Sequence, residues 1–242
     1  MTPDIGSSLL VAGIVAAAGL MRGITGFGGA MLMTPPLGIL LGPVPAVVIS
    51  LGLEAIAALI MVPSIRKDLP LKQFALLIVP ASLAIPIGTQ VLVGVDAVLG
   101  RRMIGAMVTI SSLAMLTGLR YARQAPASLS VAIGSLAGVL LGATGIGAPP
   151  VVLFLLSGPS PVRNTRAILT VFISATSLIG FMSLYAGGAV TMRLLAGTAA
   201  LAACYLGTTW LGMKAFTRLT DRGVRTIALC MMLVVGCTAL LI

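Results

Sequence analysis

The strongest constraint on this chain is a succession of apolar runs with almost no charge inside them. They lie at 8–22, 30–41, 44–62, 73–94, 98–119, 128–142, 148–157, 167–186, 194–213 and 224–242. A helix that crosses a bilayer needs about 20 predominantly apolar residues, and six of the runs approach or reach that length. Of 242 residues, 59% are hydrophobic and only 8% charged, against about half and a quarter in a soluble domain. So little charge cannot cover a water-facing surface. A soluble enzyme, a disordered chain and a disulfide-rich secreted module are thereby excluded, and an all-α polytopic membrane protein is expected. No Lys or Arg precedes the first apolar run, so that run reads as part of the mature fold rather than as a secretory signal.

The residue types available narrow the chemistry further. There is no histidine, and the acids are Asp4, Glu54, Asp68, Asp96 and Asp221. The usual general base and metal ligand are therefore missing, and no enzyme activity, metal site or cofactor is expected. Cys204, Cys230 and Cys237 lie in apolar runs without C-x-x-C spacing and read as small packing residues. The net charge of +10 comes without an aromatic-plus-basic pattern, so it marks cytoplasmic loops rather than a nucleic-acid surface.

The chain repeats itself. A-G-L-M-R-G-I-T-G-F-G-G at 18–29 matches A-G-V-L-L-G-A-T-G-I-G-A at 137–148 in six of twelve positions, at an offset of 119. At the same offset Gly88-Thr89 meets Gly207-Thr208. Two halves are implied, 1–123 and 124–242, and internal repeats of this kind are a property of transporters. In each half a Gly-rich break separates two runs that are individually short for a span. Either each pair is one kinked span or it is a re-entrant hairpin. Basic residues discriminate. The hairpin reading places Arg66, Lys67, Lys72, Arg120, Arg123, Arg163, Arg166, Lys214, Arg218, Arg222 and Arg225 on one side, and only Arg101, Arg102 and Arg193 on the other. The kinked reading divides the same charges almost evenly. The expected fold is thus two inverted repeats, each a Gly-broken re-entrant hairpin plus three spanning helices, with both termini outside.

The two breaks are the expected binding site. A new helix starts near Gly29-Ala30 and near Ala148-Pro149, and a helix start offers free N–H groups and partial positive charge. Gly26, Gly28, Gly29, Gly145, Gly147 and Ala148 let backbone donors approach a ligand, Thr25 and Thr144 add hydroxyls, and Arg22 adds a full charge. The alternative role for these glycines is close helix packing. Glu54, the one acid within an apolar run, is a candidate for proton coupling or a structural partner of Arg22. Arg163, Asn164 and Arg166 read as the start of a helix on a cytoplasmic loop, Trp210 and Tyr185 as interfacial or packing aromatics, and Lys214 and Arg218 as solvated charges.

The duplicated segments G-I-T-G-F-G-G (23–29) and G-A-T-G-I-G-A (142–148) resemble the motif of the sulfite exporter TauE/SafE family of membrane permeases. The resemblance extends over almost the whole chain. It implies secondary transport of a small sulfur-containing anion (sulfite, sulfoacetate or a related sulfonate) across the bacterial cytoplasmic membrane. With two facing repeats, alternating access is the expected mode; an inside-negative potential favours export of an anion, and Glu54 makes protons the candidate coupling partner. The second copy departs from the pattern, since Ala148 replaces the last glycine and prolines follow. An anion channel would share such a site without a gate. A membrane scaffold or assembly factor would carry no flux.

Overall fold

A computed structural model describes residues 5–65, 69–116, 126–157 and 162–216. Among these, nine α-helices occur and no strand. They are α1 (Ile5–Thr25), α2 (Gly29–Leu41), α3 (Pro43–Ile65), α4 (Leu71–Gly94), α5 (Ala97–Leu116), α6 (Ala127–Thr144), α7 (Ala148–Ser157), α8 (Val162–Ala186) and α9 (Met192–Phe216). The run 224–242, Arg66, Lys67, Arg120, Arg123, Arg218, Arg222, Arg225, Cys230, Cys237 and both termini lie outside the described residues, as does the side chain of Arg163.

Six described helices are long and apolar enough to cross a membrane: α1, α3, α4, α6, α8 and α9. Two of them correct the expectation. Both arms of each Gly-broken pair are expected to be short, but α1 has 21 residues and α6 has 18, or about 32 and 27 Å of helix. The helix does not stop at the edge of the apolar run; it continues through Arg22-Gly23-Ile24 and through Gly142-Ala143 to the threonine. Only the second arms are short, with 13 residues in α2 and 10 in α7. Pro35 and Pro36 sit inside α2.

Close backbone crossings set the directions of the helices. Along α6, a Cβ on Gly134, Gly138 or Gly142 would strike the carbonyls of Leu77, Ala81 and Ile85 of α4 in turn. Contacts advance together, so α4 and α6 run parallel. Gly19 and Gly23 of α1 likewise meet Tyr205 and Thr209 of α9, so α1 and α9 run parallel. Small residues at four-residue spacing let two helices approach to backbone contact. α3 also packs on α9, with Gly52 against Thr198 and Glu54 beside Tyr205. α8 packs on α4, with Gly180 against Ile85 and Ser183 hydrogen-bonded to Thr89 at 2.7 Å. Both of these pairs are parallel as well. α2 and α3 are antiparallel about Gly42, because Ala30 faces Glu54 and Thr34 faces Ser50.

The repeat has a different register here from the one the sequence suggests. Gly88 presses on the backbone of α6 at Val139 and Gly142. The glycine that does the same to α1, at Leu20 and Gly23, is Gly212; Gly207 has no atom within 4 Å of its Cβ position. The sequence match of Gly88 with Gly207 is therefore five residues out of register in space. Gly207→Ala is expected to leave the thermal midpoint of the purified protein unchanged, whereas Gly212→Ala lowers it sharply, since its Cβ lands on a carbonyl. Thermal unfolding of the two variants side by side checks this.

At the turn before α5, the Asp96 carboxylate accepts N–H bonds from Val98 at 2.8 Å and Leu99 at 2.9 Å. This is an N-cap. The Leu99 and Val98 amides hold the carboxyl below its ordinary value. The sign follows: the cap contributes fully above the ordinary carboxyl range and is lost as pH falls through the lowered value. Asp96→Ala should unfold earlier than wild type at pH 7, with the difference shrinking on acidification. A pH series of thermal unfolding measures it.

Candidate functional site

Each helix pair reverses at its break. Gly29 lies against the Cβ of Arg22, seven residues back, with 3.2 Å between Cβ positions, and Gly147 lies 2.5 Å by its Cβ position from the carbonyl of Ala137, ten residues back. Ten residues of continuing helix would separate these by about 15 Å. The two reversals are built alike. Gly26 (φ 80°) and Gly145 (φ 73°) end α1 and α6 in the left-handed conformation, each donating its N–H to the carbonyl four residues earlier, Arg22 and Leu141. Glycine reaches that conformation without Cβ strain. Thr25 donates to Met21 at 2.9 Å and accepts from the Phe27 N–H at 3.2 Å. Thr144 donates to Leu140 at 2.7 Å and accepts from the Ile146 N–H at 3.2 Å.

Both threonine hydroxyls are thus committed to their own turns. They were expected to offer hydroxyls to a ligand; their position instead braces the break. Gly28 is half-buried with φ 89° and caps α2. Its counterpart Gly147 has no positive φ and is required for space. The helix starts differ too. Pro149 and Pro150 remove two N–H donors from the first turn of α7, so the first break carries the stronger set of donors.

Charge is concentrated at that first break. Arg22 and Glu54 are both 0% exposed and form an ion pair at 2.7 Å. The Arg22 guanidinium also donates to Gly26 O, to Ser174 Oγ at 3.0 Å and to Thr170 O at 3.3 Å. The other carboxylate oxygen of Glu54 accepts the N–H of Ala30 at 2.8 Å, in the first turn of α2. The buried Tyr205 of α9 places its hydroxyl beside the same carboxylate and beside Gly29. A side chain at position 29 would collide with both. One helix start is therefore already filled by an anion, and that anion belongs to the protein.

Arg166 stands one turn from the first break. It donates to Gly23 O at 3.0 Å and its guanidinium lies 3.6 Å from the centroid of the Phe216 ring. It is half-buried, packed against α1 and α9 rather than free on a loop. Lys214, expected as a solvated charge, lies over the Trp210 ring at 3.6 Å. The second break faces apolar surroundings, with Gly145 near Val47 and Thr34 of α3 and α2. At the offset of 119, the partners of Arg22 and Glu54 are Leu141 and Ile173, both buried in the core. The two halves have the same turns but only one has the ions.

A cavity of about 490 Å³ opens between the C-terminal ends of α4 and α8, lined by Thr89, Gln90, Gly94, Ser183 and Gly187 among others. Thr89 sits beside Gly142, two residues before the second break. No group of three His, Cys, Asp or Glu able to hold a metal occurs among the described residues.

Sequence reasoning placed Arg22 and Glu54 in one site but missed Thr170, Ser174 and Tyr205. The three lie 148 to 183 residues from Arg22 in sequence. A tyrosine inside an apolar run was the only local signal.

Six helices long and apolar enough to cross a bilayer define a multi-pass membrane protein. A family model described as sulfite exporter TauE/SafE matches residues 10–239, and the chain belongs to that family. No curated protein and no solved structure matches it.

Proposed function

We propose that this protein is a secondary transporter that exports a small sulfur-containing anion (sulfite, sulfoacetate or a related sulfonate) across the bacterial cytoplasmic membrane by alternating access. The observation that carries this reading is the buried Arg22 set at a reversal whose next helix directs a first-turn amide, that of Ala30, at a carboxylate. A buried cation beside a positive helix end is a site for a small anion. Gly26, Gly28 and Gly29 form one lip of the site, and Gly145, Gly147 and Ala148 form the other, with Thr25 and Thr144 holding the two turns in shape.

Residues 1–123 and 124–242 are read as inverted repeats. The exchange of partners supports this: α1 pairs with α9 as α6 pairs with α4, and α3 with α9 as α8 with α4. Parallel crossings put α1, α3 and α9 in one direction and α4, α6 and α8 in one direction. The five-residue link 66–70 between α3 and α4 makes those two directions opposite. On the basic-residue bias of the sequence both termini are read as outside, and the cavity by Gly94 and Gly187 as an outer vestibule. An outer vestibule fits the outward-open state of an alternating-access cycle. Cysteines placed at Gly94 and Gly187 should react with an impermeant maleimide added outside intact cells, and labelling only after permeabilisation would reverse the topology.

Counterflow in proteoliposomes tests the transport mode. Vesicles loaded with unlabelled sulfite should transiently accumulate labelled sulfite from outside, as a carrier requires. Flux without counterflow indicates a channel, and absence of flux for sulfite, thiosulfate, sulfoacetate and methanesulfonate removes the transport reading.

A further inference from the structure

Glu54 occupies the place that a transported anion needs. Its two oxygens hold the Arg22 Nε and the Ala30 N–H, which are the cation and the helix-start donor of the first break. The ion pair is entirely buried. Two negative groups a few ångströms apart in such a medium cannot both stay ionised. We infer that Glu54 is a tethered competitor of the substrate: the anion reaches Arg22 and Ala30 only when the Glu54 carboxylate takes up a proton and gives way, so that each anion enters with one proton. This rests on the transport reading above and adds its coupling.

The charges around Glu54 define what moves. From α1 it faces Arg22, and from α9 Tyr205. α2 contributes a backbone N–H. From α8, Arg166 stands beyond Arg22, at Gly26 and Gly23. From α5, Arg101 lies at Gly38, about two turns along α2 from Ala30. These cations keep their charge throughout. In the empty site Glu54 balances Arg22. In the loaded site the substrate balances Arg22 and Glu54 carries the proton. The proton comes from the water on the side to which the site is open and leaves on the other side when the carboxylate returns. For a monoanion the cycle moves no net charge, so the membrane potential does not drive export; the anion leaves when its own outward gradient exceeds the inward proton gradient. The matching position in the second half is Ile173, so one proton site serves the whole transporter.

The experiment measures accumulation in proteoliposomes of whichever of methanesulfonate, thiosulfate, sulfoacetate or sulfite the protein carries. Methanesulfonate is the most informative probe, since it stays a monoanion and brings no proton of its own. With one pH unit across the membrane and no potential, wild type should concentrate methanesulfonate about tenfold in the alkaline compartment, because the anion follows the proton down the proton gradient. A potassium-valinomycin potential of 100 mV at equal pH should leave the ratio unchanged, whereas an uncoupled monoanion would shift about 50-fold. Glu54→Gln should lose the response to the pH gradient. Wild-type accumulation that follows potential and ignores pH overturns the coupling while leaving transport standing, and this arm needs no variant to fold. Retained proton-driven accumulation in Glu54→Gln overturns the assignment to Glu54. Absence of flux for all four anions overturns transport and coupling together.

Discussion

Arg22→Leu is expected to destabilise the protein by about 3–5 kcal/mol, and adding Glu54→Ile should recover most of the loss. Removing one member of a buried ion pair leaves the other charge without compensation, and the cost is of that order; replacing both by apolar groups of similar volume is often neutral. At the offset of the breaks, Leu141 and Ile173 are the residues that align with Arg22 and Glu54, and both are buried in the core. The single variant leaves Glu54 held by the Ala30 N–H and Tyr205 alone, in a site with 0% exposure. Denaturation in detergent of wild type, both single variants and the double variant forms a cycle that isolates the pair. A single variant as stable as wild type would mean that Arg22 contributes packing rather than charge.

Gly142→Ala is expected to have the next largest effect, about 3 kcal/mol or more. A Cβ at that position meets the Ile85 carbonyl of α4, with the Thr89 backbone nitrogen 2.7 Å away and Gly88 at 2.9 Å. These are main-chain atoms, which no rotamer change can move, so the helices must separate and lose contact along the whole crossing. Gly88→Ala acts on the same crossing from the other side, at Val139 and Gly142. The two substitutions share one gap, so their effects should not add. Thermal unfolding of the two single variants and the double variant measures this, and a mild Gly142→Ala would show that the crossing is looser than its geometry.

Much of this architecture is legible in the sequence, for identifiable reasons. The breaks at Gly26–Gly28 and Gly145–Gly147 appear because a left-handed turn and a close backbone approach both demand glycine. Glu54 and Arg22 stand out because an ion within an apolar run needs a partner. Helix length at the breaks was less legible. Arg22 and Gly23 interrupt the apolar run without ending the helix, since the guanidinium is satisfied by Glu54, Ser174 and Thr170 rather than by water. The roles of Thr25 and Thr144 depend on side-chain direction, which composition does not carry. The register of the second Gly match failed because the offset grows along the half: Gly212 takes the place of Gly88, and the two extra residues of α8 over α3 account for only part of the five-residue shift.

The central claim is that a sulfur-containing anion is carried through the buried site at the first break. The direct measurement is saturable uptake of labelled sulfite into proteoliposomes by wild type and by the Arg22→Leu, Glu54→Ile double variant, matched for folded protein. The account predicts saturable flux in wild type and its loss in a double variant of near-native stability. Equal flux in the two would place the anion's path elsewhere and contradict it.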